Sequence, residues 1–151
     1  VLNDFYSTKI YGSYSVATHI LSLRIDSRLS DGDPSLVDAI ARVPGKDGKE
    51  RRNYSFASKY CARHNREKFP IFDSYVEKLL SEYQRVDKFH EFAKPDLRDY
   101  PQFLEVIKKF RSHFKLEEFS FKDIDTFLWQ AGQDWFPRFK KETALPAGGT
   151  V

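Results

Sequence analysis

This sequence is expected to adopt an all-α fold, a compact orthogonal packing of several helices, and three observations lead there. Apolar residues recur at helical spacing in six stretches, several of them opening on a capping residue. No stretch shows a convincing strand-length alternation of apolar and polar residues. The 151 residues include 14 Phe, 8 Tyr and 2 Trp, and such rings are the large units from which a helical core is packed.

Taken in order, Tyr14–Arg24 places Val16, Ile20 and Leu23, with Ala17 and Leu21, on one side of a first helix. Asp33-Pro34 is a cap followed by a first-turn proline. It opens a short helix to Val43 with Leu36, Val37 and Ile40 inward. Pro44-Gly45-Lys46-Asp47-Gly48-Lys49 reads as a turn, and the whole segment Pro44–Tyr54 as an exposed loop. Ser55–Asn65 forms the third helix, with Phe56, Ala57, Tyr60 and Cys61 on its apolar face. His64 falls on the centre of that face, where a packed histidine is a better reading than a ligand.

Pro70 forces the residue before it to extend, so nothing helical continues into it. Asp73 is the natural N-cap of the next helix, Ser74–Gln84, whose stripe is Val76, Leu79, Leu80 and Tyr83. Pro95–Pro101 resembles a linker. Tyr100–Phe114 carries Phe103, Ile107, Phe110 and Phe114 at helical spacing. Ser120 and Asp123 form a capping box for a sixth helix bearing Ile124, Phe127, Leu128 and Ala131, which Pro137 ends. The expected core is Phe56, Tyr60, Val76, Leu79, Leu80, Ile107, Phe110, Ile124, Phe127 and Leu128.

One helical domain over residues 1–142 is the expectation, with its N-terminal portion missing if the chain is a fragment. It opens on Val and contains no Met. Residues 143–151 read as a disordered or vector-derived tail. No apolar run approaches the roughly 20 residues of a membrane span, so no membrane partner is expected. A lone cysteine, Cys61, excludes an internal disulfide and a four-cysteine metal site, and suggests a reducing, cytoplasmic setting. No metal and no cofactor is expected.

Charge is unevenly distributed. The window Lys46–Lys68 carries eight basic and three acidic residues, a net +5 within a chain of net +3. Such a concentration suits a polyanion, with Lys46, Lys49, Arg51, Arg52, Arg63 and Arg66 as the nucleic-acid-binding candidates. A solvated surface accounts for it equally well.

Phosphate loops, paired histidines and serine-elbow motifs are missing from the sequence. What remains is Lys59 with Asp73. Lys59 lies beside Arg63 and Arg66, whose positive charge disfavours an ammonium and would lower its pKa, as a nucleophilic lysine requires. Asp73 sits at a helix N-terminus, where backbone dipoles favour the carboxylate. Helix, return loop and new helix start can bring the two together. An ordinary surface lysine and an ordinary cap are the plainer alternatives.

The segments Ser55-Phe56-Ala57-Ser58-Lys59-Tyr60-Cys61 and Phe69-Pro70-Ile71-Phe72-Asp73-Ser74-Tyr75-Val76 resemble divergent helix-hairpin-helix DNA glycosylases. The likeness is greatest to bacterial proteins similar to oxoguanine DNA glycosylase, and it spans about Leu36–Tyr83. It implies a glycosylase-like helical fold and a DNA repair role: excision of a modified base from duplex DNA. In that family a lysine early in the hairpin's second helix attacks the sugar C1′, and an aspartate at the start of the next helix stabilises positive charge on the sugar. Matched residue by residue, Lys59 takes the first role and Asp73 the second. The family's Gly-x-Gly hairpin is absent before Lys59, and the longer Gly45–Tyr54 segment stands in its place. The competing expectation is a non-catalytic module that binds nucleic acid or a protein partner on the same face.

Overall fold

The computed structural model describes residues 12–45 and 48–136. Lys46, Pro137 and the expected tail lie outside them. The chain is mostly helical. Helices α1 (Ser13–Ser22), α2 (Asp26–Asp31) and α3 (Ser35–Ala41) lead into strands β1 (Arg42–Pro44) and β2 (Glu50–Arg52). Then come α4 (Tyr54–His64), α5 (Ser74–Asp87), a 3-10 turn over Lys94–Arg98, α6 (Tyr100–His113) and α7 (Phe121–Trp135).

Local chemistry explains most of these boundaries. Asp33 Oδ1 accepts from the Ser35 N–H at 2.9 Å, so it holds the start of α3 across Pro34. Asp73 caps α5, Asp99 caps α6, and Ser120 with Asp123 closes the capping box of α7. Each cap supplies an acceptor to first-turn amides that have no partner within the helix.

A single hydrophobic core runs from α1 to α7. Its centre is aromatic. Tyr54 meets Phe72 at 4.7 Å between centroids, Phe72 meets Phe103 edge-on at 5.4 Å, and Tyr100 meets Phe103 at 5.6 Å. Farther along α6, Phe110 packs with Phe114, Tyr83 and Phe89. Helices α5 and α7 approach closely because position 132 is glycine. A Cβ there would come within 2.8 Å of the Tyr75 Cβ and 3.1 Å of its carbonyl oxygen.

The segment Pro44–Tyr54 departs from the expected loop. Strands β1 and β2 pair antiparallel, Arg42 opposite Arg52, Val43 opposite Arg51 and Pro44 opposite Glu50, and Tyr54 already belongs to α4. Three-residue strands are too short to show alternation in sequence, and a proline is tolerated because the pair is all edge. Gly48 supplies the positive φ, +75°, that the connection demands. Lys49, Arg51 and Arg52 are exposed as expected. Helix α2 has no counterpart in the sequence reading, and Pro95–Pro101 is a 3-10 turn joined to α6 rather than a linker.

Seven of the ten expected core residues are buried. Phe56 and Tyr60 are only partly covered, and Phe127 is 48% exposed. Helix α4 instead turns Tyr54, Ala57, Ser58, Cys61 and Ala62 inward. Those small residues let the following turn lie against the helix, which a wheel weighted by large apolar side chains does not anticipate. His64 is exposed, its ring 4.7 Å from that of Tyr60, not packed at the centre of a buried face. Leu21 and Ala17 of α1 are exposed too, whereas Val16 and Ile20 are buried.

Candidate functional site

The residues between α4 and α5 form a turn whose backbone is held by three helices. The Pro70 carbonyl accepts from the Tyr100 hydroxyl of α6 at 2.7 Å. The Ile71 N–H donates to Asp125 Oδ2 of α7 at 3.0 Å. The Phe72 N–H donates to Ser58 Oγ at 3.1 Å, and its carbonyl accepts from Ser55 Oγ at 3.2 Å, both serines belonging to α4. Phe69 and Phe72 are buried beneath it. Three successive residues of a connecting segment are therefore fixed by side chains from separate elements, which leaves the turn little freedom.

Asp73 follows this turn directly. Its Oδ1 accepts from the N–H groups of Tyr75 at 2.9 Å and Val76 at 3.0 Å, and the residue is 9% exposed. The cap is therefore real. Lys59 follows Ser58 on α4 and is half-buried. Its pKa lies below the usual lysine value, chiefly because burial removes water from the ammonium, while the nearby charge of Asp73 works in the opposite direction. The expected direction thus stands, but desolvation produces it in place of Arg63 and Arg66. Lys59 and Asp73 are electrostatic neighbours across the turn.

The basic candidates separate into two groups, at the two ends of α4. Its 11 residues put those ends about 16 Å apart. At the N-terminal end, Arg52 is engaged by its neighbours although it stays exposed. It pairs with Asp38 at 2.7 Å, donates to the Arg98 carbonyl and lies 4.8 Å over the Tyr54 ring. Its role here is to tie the hairpin to α3 and to the 3-10 turn before α6. Lys49 and Arg51 project from the hairpin.

At the C-terminal end a cleft of about 220 Å³ opens, lined by Ala62, Arg63, Arg66, Phe69, Ile71, Lys122 and Asp125. Neither Lys59 nor Asp73 lines this cleft. Lys59 lies one helical turn before Arg63 on the same face of α4, and Asp73 is coupled to it through Asp125.

Asp125 is the site residue that the sequence reading missed. It is 6% exposed. Burial raises its pKa to about 7 and the Asp73 charge adds to the rise, against the Ile71 N–H, the Thr126 hydroxyl and Lys122. An Asp between Ile124 and Thr126 carries no distinguishing pattern. The signal available was the helix wheel of α7, on which 125 lies next to the buried 124 and 128. Among the described residues no group of three or more His, Cys, Asp or Glu is placed to hold a metal ion, and no helix is long and apolar enough to cross a membrane.

Residues 1–68 match the model of a protein family, HI_0787_N, described as an N-terminal domain. The match ends just before the turn, so it includes Lys59, Arg63 and Arg66. The chain is also 43% identical over 139 residues to an uncharacterized protein of Haemophilus influenzae, covering 91% of this chain. It spans 66% of that relative's length. No solved structure matches. Similarity to this uncharacterized relative therefore extends past the matched N-terminal domain, across the turn and into the helices that hold it.

Proposed function

We propose that the chain acts on DNA as a base-excision glycosylase of the helix-hairpin-helix kind, with Lys59 as the nucleophile and Asp73 as the electrostatic stabiliser. One observation carries this reading: a desolvated lysine whose ammonium is destabilised, set beside a buried helix-capping carboxylate across a rigidly held turn. The neutral lysine amine attacks the sugar C1′, the glycosidic bond breaks with its electron pair going to the base, and the proton lost from the alkylated amine goes to the departing base. The fixed negative charge of Asp73 opposes the positive charge that builds on the sugar, and it does so without reorganisation. Arg63, Arg66 and Lys122 supply the positive surface beside it.

The test is borohydride trapping on duplexes carrying oxidised, deaminated or alkylated bases, and on an abasic duplex. A covalent adduct is expected with wild type and none with K59A. Asp73→Asn should abolish base release and leave stability within about 0.5 kcal/mol, since Asn caps nearly as well as Asp. No adduct and no base release on any duplex would remove the enzymatic reading.

A second reading, a non-catalytic nucleic-acid-binding module, is favoured by the lining of the cleft, which includes three cations but neither Lys59 nor Asp73. Under it, Lys59→Ala changes DNA affinity only a few-fold while affinity still falls steeply with salt.

A further inference from the structure

The cleft at the C-terminal end of α4 combines features that its neighbourhood to Lys59 and Asp73 does not explain. Arg63 and Arg66 come from α4 and the residues just after it, and Lys122 from the first turn of α7, so cations from two distant parts of the sequence converge on one space. Among the described residues Arg63 and Arg66 form no ion pair within 4 Å. Opposite them stands one buried carboxyl, Asp125, with one oxygen anchored on the Ile71 N–H. Three cations around an acid are underneutralised when the acid is charged, and more so when it is not.

We propose that this cleft is a proton-linked seat for a phosphodiester of single-stranded nucleic acid, in which Arg63, Arg66 and Lys122 hold the phosphate oxygens and the protonation of Asp125 sets how strongly they do so. The guanidinium forks suit a phosphate through paired N–H donors. A neutral Asp125 adds an O–H donor toward the ligand. An ionised one faces the phosphate as a like charge in a poorly hydrated setting. Burial and Asp73 bring the switch to about pH 7. The groups facing Asp125 are Lys122 and Thr126 on its own helix, Asp73 and the Ile71 N–H from the turn, Arg63 and Arg66 from the α4 side, and the neutral Tyr100 from α6. Of these, only the carboxylates oppose an anion. Linkage is reciprocal, so the ligand should also raise the Asp125 pKa. The inference rests on the nucleic-acid half of the proposed function and not on catalysis.

The experiment uses the full chain and a fluorescein-labelled thymidine dodecamer, whose phosphodiesters keep their charge across the range studied. Anisotropy at low salt should show affinity falling roughly tenfold from about pH 6 to about pH 8. D125N should bind at about pH 8 as tightly as wild type does at about pH 6, with most of the pH dependence gone. The R63A/R66A pair should weaken binding at every pH and reduce the salt slope by about two. Asn retains an oxygen for the Ile71 N–H, so the D125N fold should persist. If circular dichroism shows otherwise, carboxyl-carbon NMR of the wild type replaces it, and the Asp125 pKa should rise when the dodecamer binds. A D125N curve parallel to wild type, an unshifted Asp125 pKa, or R63A/R66A binding at wild-type strength overturns the inference while DNA binding itself stands. Failure of the wild type to bind the dodecamer overturns this inference, and failure to bind a duplex of the same length as well overturns the proposed function.

Discussion

Arg52 and Arg66 belong to one basic run of the sequence, and the fold sends them to opposite ends of α4 with opposite employment. Arg52 meets a carboxylate, a carbonyl and an aromatic face, so its charge is consumed in holding β2 against α3 and the 3-10 turn. Among the described residues Arg66 meets none of these, and it lies on the wall of a cleft beside Arg63, Lys122 and Asp125. A run of like charge in a sequence is thus not one patch. Each cation is assigned by whatever acid or carbonyl the tertiary structure delivers to it, and only the unassigned ones remain for a ligand.

The same contrast separates two connections. In the β1–β2 connection Gly48 and Lys49 are exposed, and its described ends are joined by short-range hydrogen bonds, Gly45 N–H to the Lys49 carbonyl and Gly48 N–H to the Gly45 carbonyl. The turn from Phe69 to Asp73 is held by α4, α6 and α7. The largest expected effect lies there. Tyr100 is fully buried and donates to Pro70, so Tyr100→Ala opens a cavity and strips the turn of one anchor. Urea unfolding should show a loss of roughly 3–5 kcal/mol. A loss under about 1 kcal/mol would mean that the turn stands without α6.

Asp125 gives the next effect, and its sign follows from linkage. Burial raises its folded pKa from 3.8 to about 7, so the folded state binds the more protons between those values. Its contribution to stability therefore falls as pH rises through that window and is lost above it. D125N does not titrate, so it should gain on wild type by a few kcal/mol between about pH 4 and pH 8 in paired urea titrations. A stability difference that does not vary with pH would show Asp125 to be ionised in the folded protein throughout.

The smallest effect sharpens the comparison of the two arginines. The Arg52–Asp38 pair is partly solvent-exposed, so screening limits its worth, and Arg52→Ala should cost about 1 kcal/mol of stability. Arg66→Ala should leave stability within about 0.5 kcal/mol and weaken binding to an oligonucleotide. The reverse pattern would exchange their roles.

Much of the helical plan was legible from residues 14–131, because caps and helical spacing act within a few positions. Asp73 and Ser120 cap the first turns beside them. Val16, Ile20, Leu79, Leu80, Ile107 and Leu128 repeat at a period that only one buried face explains. Where facing depended on what packed opposite, the reading slipped. Phe56 and Tyr60 were expected inside, but Ala57, Ser58 and Cys61 face the core because the turn lies on them. The hairpin escaped notice because three-residue strands are specified by their pairing and not by their own pattern.

What the sequence by itself determined is therefore six of the seven α-helices among the described residues, most of the inward stripes of α5, α6 and α7, and the candidacy of Lys59 and Asp73, all consequences of short-range chemistry and periodicity. Only the tertiary structure decided that Lys59 is desolvated and stands in the field of Asp73, that Arg52 pairs with Asp38 while Arg63 and Arg66 pair with no acid among the described residues, and that Asp125 joins them from 59 residues beyond Arg66. The physical reason is range. Burial and charge act through space over a few ångströms, and the residues that supply them here lie far apart along the chain.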